Sequence, residues 1–255
     1  MDTLFPHLDT PLILMALAIA LCAGVVKGIV GFAMPLVLIS GLTTFLSPEI
    51  ALAGLILPTV VTNGFQALRQ GPRAAWKSIK LFKVFLIAGG IALICTAQLV
   101  RVVPGDILQL LIGVPVVLFA VLQLSGYQFN IKRRSLVVES GVGAFAGGIG
   151  GISGVWGPPT VAYLTALDTP KHDQMRIQGV IYGLGALALL GAHIGSGVLR
   201  ADTAPFSAIL VIPAVAGMWL GGKIMDRIDQ RAFRRATLFV LLIAGANLIR
   251  RALLT

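Results

Sequence analysis

The residues best suited to chemistry are few, and they cluster. Lys27 stands in the stretch "AGVVKGIVGFAMPL" (23–36), among Gly24, Gly28, Gly31 and Pro35. A second stretch, "AGGIGGISGVWGPP" (146–159), carries Gly147, Gly151, Ser153, Gly154, Trp156 and Pro158 in a similar order. Glycine permits backbone conformations closed to other residues, and proline suits the first turn of a helix. Each stretch therefore predicts a helix break followed by a new half-helix at Pro35 or Pro158. The free N–H groups and partial positive charge at such a start suit an anion. Lys27 would add a full positive charge, and an ionisable residue within an apolar segment marks function by default. A purely structural alternative exists for each feature. Gly24-xxx-Gly28 and Gly147-xxx-Gly151 match close helix packing through small residues, and Lys27 could snorkel to a headgroup.

Other polar residues sit in or at the ends of apolar segments: Asn63, Gln66, Gln98, Arg176, Gln178, Tyr182 and His193. Gln66, Gln178 and His193 join Lys27, Gly28, Gly31, Pro35, Gly151, Ser153, Gly154, Trp156 and Pro158 as candidate substrate contacts. "GISG" (151–154) also has the Gly-x-Ser-Gly form of rhomboid intramembrane proteases, with Ser153 as nucleophile and His193 as its base. Against that reading, the first stretch has Val30 where the second has Ser153. No HExxH or DDxxD motif is present, which disfavours a zinc protease or a prenyl-transfer enzyme. The expectation is a protein with no enzymatic activity, no cofactor and no metal site.

The elements that must position these residues are apolar. The chain is 57% hydrophobic and 12% charged, with mean hydropathy +0.94; a soluble domain usually carries about 25% charged residues. Apolar segments run over 11–47, 49–68, 81–100, 105–125, 137–167, 174–199, 205–222 and 233–253. A bilayer-crossing helix needs about 20 such residues, so an all-α polytopic membrane protein is expected. The formal net charge of +10 reads as cytoplasmic loops under the positive-inside rule, not as a nucleic-acid surface. Cys22 and Cys95, isolated in apolar segments, read as small packing residues. The start of the chain, "MDTLFPHLDT", lacks the basic residues of a signal peptide, so the first apolar segment should be retained.

The two Gly/Pro stretches coincide at six of fourteen positions at an offset of 123: Ala23/Ala146, Gly24/Gly147, Gly28/Gly151, Ile29/Ile152, Gly31/Gly154 and Pro35/Pro158. Each lies in a long apolar segment followed by three ordinary spans. This implies a duplicated unit, with repeats at 1–125 and 136–255 joined by a basic cytoplasmic linker at 126–135. If each long segment bends back to the side where it began, fifteen basic residues fall inside and four outside, with Lys27 in the membrane. Single crossings give eleven inside and eight outside. The first arrangement fits the positive-inside rule better and makes the repeats inverted, each a broken helical hairpin plus three transmembrane helices. Inverted repeats with broken helices recur in secondary transporters, whose sites lie near the breaks. The expected site is where residues 24–35 and 147–159 meet.

The paired Gly-rich breaks, each closed by a proline, resemble the TauE/SafE sulfite-exporter family of membrane transporters. The stretch "PAVAGMWLGGKIMDRIDQRAFRRATLFVLLIAG" (213–245) is similar to that family's C-terminal pattern, and the resemblance covers about residues 12 to 253. Its breaks map onto Gly24, Gly28, Gly31 and Pro35, and onto Gly147, Gly151, Gly154 and Pro158. The chain departs from a symmetric pattern at Lys27 and Trp156. The resemblance implies a carrier exporting small anions, often sulfur-containing, such as sulfite or organosulfonates, across a bacterial inner membrane. An anion channel is the alternative. The partners implied are a small anion and the lipid bilayer, with no nucleic acid; a coupling ion (proton or sodium) and a homodimer stay open.

Overall fold

The computed structural model describes residues 9–97, 105–127, 131, 134–153, 156–195 and 197–254. Among them are eleven α-helices: α1 (Thr10–Val30), α2 (Met34–Leu42), α3 (Pro48–Leu68), α4 (Pro72–Leu81), α5 (Lys83–Ala97), α6 (Gly105–Leu124), α7 (Leu136–Ser153), α8 (Gly157–Ala166), α9 (Lys171–Gly195), α10 (Ala204–Arg227) and α11 (Gln230–Leu254). Five helices are long and apolar enough to cross a membrane: α1, α3, α9, α10 and α11. A sixth span is formed if α4 and α5, bent by 72° at Phe82, are taken together. Their outward faces carry Leu14, Ile87, Ile91, Ile94, Phe239 and Ile243, all at least half exposed. Such a surface is stable against lipid and not against water. Cys22 and Cys95 lie on it as well. They are therefore not the packing residues expected, because each falls on the outer side of its helix.

The two long segments are broken as their glycines and prolines dictate. Residues 11–47 divide into α1 and the nine-residue α2, and residues 137–167 into α7 and the ten-residue α8. Pro35 stands in the first turn of α2, and Pro158 and Pro159 in the first turn of α8. At about 1.5 Å per residue neither half-helix can cross a bilayer alone.

Two compact units partition the chain. The first comprises Met1–Ala75 and Met175–Asp229, the second Trp76–Gln174 and Gln230–Thr255. In the first unit α1 and α10 pack most closely, because small residues line both helices. A Cβ on Gly24 would stand 3.0 Å from the Met218 backbone nitrogen, one on Gly28 2.8 Å from that of Gly222, and one on Gly217 2.9 Å from that of Val25. In a membrane, where lipid tails are as apolar as Leu, this close backbone approach is a main source of helix association. An apolar cluster of Ala16, Ala20, Ala23, Met34, Leu38 and Leu42 fixes α2 against α1, and Leu55, Phe206 and Leu210 extend it to α3 and α10. Pro58 within α3 cannot donate to the Gly54 carbonyl. The Ser207 hydroxyl of α10 donates to that oxygen instead (3.3 Å), as a buried carbonyl at membrane depth requires.

The second unit uses the same device between α5 and α7. A Cβ on Gly143 would lie 2.6 Å from the Phe85 carbonyl oxygen, and Gly147 sits on Gly89. Glu139 is buried at 3% exposure. The Arg134 guanidinium donates to its carboxylate (2.5 Å) and to the Leu81 carbonyl (2.6 Å) at the α4–α5 bend.

Gly24→Val and Gly28→Val should each force α1 from α10 and destabilise the protein by about 1–3 kcal/mol, the usual cost of overpacking. Gly90→Ala, where nothing lies within 4 Å of the added carbon, should leave stability unchanged or raised. Thermal unfolding in detergent checks both; equal melting temperatures for Gly24→Val and wild type would contradict the packing account.

Candidate functional site: the first helix break

α1 ends where Gly31 adopts φ +86°, and its N–H closes the helix on the Lys27 carbonyl (2.7 Å). Only glycine takes this left-handed conformation without strain. Ala33, at φ +70°, then turns the chain into α2. A helix interrupted in this way strands backbone groups on both sides of the break.

The stranded carbonyls of α1 are taken up by two glutamines. Gln66 of α3 donates through Nε2 to the Gly31 carbonyl (3.0 Å) and to the Met175 carbonyl (2.8 Å). Gln178 of α9 places its amide at the Val30 and Gly31 carbonyls; assigned with its nitrogen toward them, the orientation that pairs donor with acceptor, it donates to both (3.1 and 3.2 Å). Both glutamines are buried. Gly179 lets α9 approach closely: a Cβ there would be 2.8 Å from the Gln66 carbonyl carbon. Gln66 Oε1 is buried with no hydrogen-bond partner.

Lys27 is 1% exposed and lies in the last turn of α1. Its ammonium donates to Asn63 Oδ1, the side-chain amide of α3 one turn before Gln66. Among the described residues no carboxylate lies within ion-pair distance of it. The C-terminal end of the α1 dipole favours a cation there, but a neutral amide does not balance a buried charge. Across the break, no acceptor among the described residues is found for the backbone N–H groups of Phe32, Ala33, Met34 and Leu36. Phe32, Ala33 and Met34 are themselves buried. An ammonium with spare protons in the last turn of α1, and unpaired N–H groups at the start of α2, are each groups that can serve an oxyanion.

α3 supplies this neighbourhood with a polar stripe at helical spacing: Thr59, Thr62, Asn63 and Gln66, all under 9% exposed. The Thr62 hydroxyl lies 3.6 Å from the Met34 sulfur at the start of α2, and Thr59 Oγ1 is buried without a partner. Sequence reasoning named Asn63 and Gln66 but passed over the two threonines. The spacing 59, 62, 63, 66 within an apolar helix is the signal that could have found them.

The structure brings together Lys27, Gly31, Pro35, Gln66 and Gln178. Gly28 shares this region, but its Cα hydrogens face α10, so its visible role is the helix packing described above. His193 is on α9 too, fifteen residues beyond Gln178, or about 22 Å at helical rise; the structure does not bring it to the break, and its Nδ1 is buried without a partner. Gly151, Trp156 and Pro158 belong to the second unit. There Trp156 caps α8 and covers Gly150, whose added Cβ would lie 2.7 Å from the indole. The Thr160 hydroxyl donates to the Trp156 carbonyl (2.9 Å). The Ser153 side chain, Gly154 and Gln98 lie outside the described residues.

The helices and the broken segments define a polytopic α-helical membrane protein. A family model, Sulfite exporter TauE/SafE, matches residues 16–248, and the chain belongs to that family of membrane transporters. No curated protein and no solved structure matches.

Gln66→Leu would leave the Gly31 and Met175 carbonyls buried without donors, which costs about 1–3 kcal/mol per orphaned group. The expected result is a clear fall in melting temperature, with Gln66→Glu intermediate or worse because it too removes the donor. A Gln66→Leu protein as stable as wild type would show that the carbonyls find other partners.

Proposed function

We propose that the protein is a secondary carrier that exports small oxyanions, with sulfite or an organosulfonate as cargo, and that the anion is held at the break between α1 and α2. The observation that carries this reading is Lys27: a cation with 1% exposure, partnered by a neutral amide, in the last turn of α1 before the break. A buried cation of this kind calls for a mobile counter-charge. Membership of a family described as sulfite exporters supports the oxyanion class. In this proposal Gln66, Gln178 and Asn63 are positioning residues that hold the break open. Lys27 and the α2 N–H groups touch the anion.

The duplicated Gly/Pro motif supports an inverted-repeat carrier working by alternating access, in a bacterial inner membrane, with the second break at Gly151–Pro158 lining the path in its own unit. No catalytic role is proposed for Ser153 or His193.

Sulfite efflux from proteoliposomes tests the proposal. Lys27→Gln should insert and fold but lose about ten- to a hundredfold of transport, the size of a charge-assisted hydrogen bond of about 1.5–3 kcal/mol. Unchanged flux in Lys27→Gln would sink the site. A panel of sulfite, sulfate, sulfoacetate, taurine and small carboxylates should raise the melting temperature of wild type selectively, because a ligand of the native state stabilises it. Saturable flux with counterflow is expected; an ohmic current would make the protein a channel.

A further inference from the structure

The stretch 69–83 carries five basic residues, and part of it forms a helix whose geometry gives those charges a direction. α4 is bent by 72° from α5, the apolar helix that follows. If α5 crosses the bilayer, α4 runs close to the membrane plane. One face of α4 is closed against protein: Ala75, Ser78 and the following Phe82 are buried. The other face exposes Arg73, Lys77, Lys80 and the following Lys83 together with Trp76 (57%) and Leu81 (52%).

That mixture fits neither water nor the hydrocarbon core. A helix face turned to bulk water has no reason to present an indole and a leucine, and one turned to lipid tails cannot carry four cations. It fits the headgroup layer, where an indole sits at the boundary and long basic side chains reach the phosphates. The Lys80 ammonium lies 5.6 Å from the Trp76 ring centre, so indole and cation face the same side. The same pairing at the same spacing occurs at the end of α10, where Lys223 lies 3.4 Å over the half-exposed Trp219.

We propose that α4 is an interfacial helix that binds anionic phospholipid headgroups through Arg73, Lys77, Lys80 and Lys83, with Trp76 and Leu81 at the boundary between headgroups and acyl chains. The inference is independent of the anion site at the first break. Each juxtamembrane cation is worth roughly fivefold in affinity for an anionic surface, and the effect is screened by salt.

The test uses the full-length protein in proteoliposomes and reads Trp76 fluorescence, isolated as the difference between wild type and Trp76→Phe. Brominated lipids quench an indole they touch. Brominated phosphatidylglycerol should quench Trp76 more strongly than brominated phosphatidylcholine at low ionic strength. The difference should vanish at high salt and in Arg73→Gln/Lys77→Gln/Lys80→Gln. Equal quenching by the two lipids in the wild type would overturn the anionic preference. Quenching by neither would put α4 in water or against a protein partner and overturn the proposal entirely. The wild-type comparison decides even if the triple variant fails to fold. Sulfite flux is not a readout, so this result and that for Lys27 can fail separately.

Discussion

A helix broken inside a membrane must find partners for the backbone groups that the break releases, and the first unit is arranged around that requirement. Water is not there to do it, and each unsatisfied group costs several kcal/mol in hydrocarbon. α1 stops at Gly31 because that residue turns left-handed at φ +86°. The carbonyls left at its end then fix what α3 and α9 must carry at facing positions: a side chain with an N–H to give. Gln66 and Gln178 supply it. Leucine at either position would pack as well and leave the break unsupported.

The same requirement separates the two ends of the break. Carbonyl oxygens are answered by protein amides, while the N–H groups at the start of α2 are not answered by any described residue. Lys27 tips the balance further, since it adds donors and no acceptor. The neighbourhood therefore has an excess of donors and of positive charge, with Gln66 Oε1 and Thr59 Oγ1 as the buried acceptors in reserve. On the proposed reading, that excess is what an oxyanion completes. A site with the opposite excess, carbonyls in surplus, would suit a cation.

The division between what the sequence disclosed and what it hid follows chain distance. The helix breaks were legible because glycine and proline act locally, on their own φ and their own N–H. Lys27 was legible because a charge in an apolar run stands out. The partner Asn63 is 36 residues away, and the Met175 carbonyl that shares Gln66 is 109 away; no local pattern announces such pairings. Gly24 and Gly28 carried two readings that sequence could not separate, since a glycine that opens a break and one that admits a neighbouring helix look alike. The proximity of α10 separates them: Gly28 serves packing, and Gly31 makes the turn. Glu139 can be buried because Arg134, in the preceding basic linker, pairs with it. α4 read as a basic loop because its charges masked a short helix whose buried side is only Ala75 and Ser78.

The two breaks match in sequence but not in the donors they offer. Of the residues that open α2, only Pro35 lacks an N–H, and Phe32, Ala33, Met34 and Leu36 keep theirs. α8 opens with Pro158 and Pro159 in succession, so two of its first-turn donors are gone, and the Trp156 indole covers the adjoining turn at Gly150. Where the first break has Lys27, the second has Gly150. The two stretches thus share the glycines and the proline of an interruption, while the basic residue stands in the first alone. On the proposed reading, the first break is the one equipped to recognise charge, while the second, in its own unit, presents an indole and fewer donors. A single cation at the proposed site would let a bound oxyanion leave without a second charge holding it back, which a carrier needs and a tight binding protein does not.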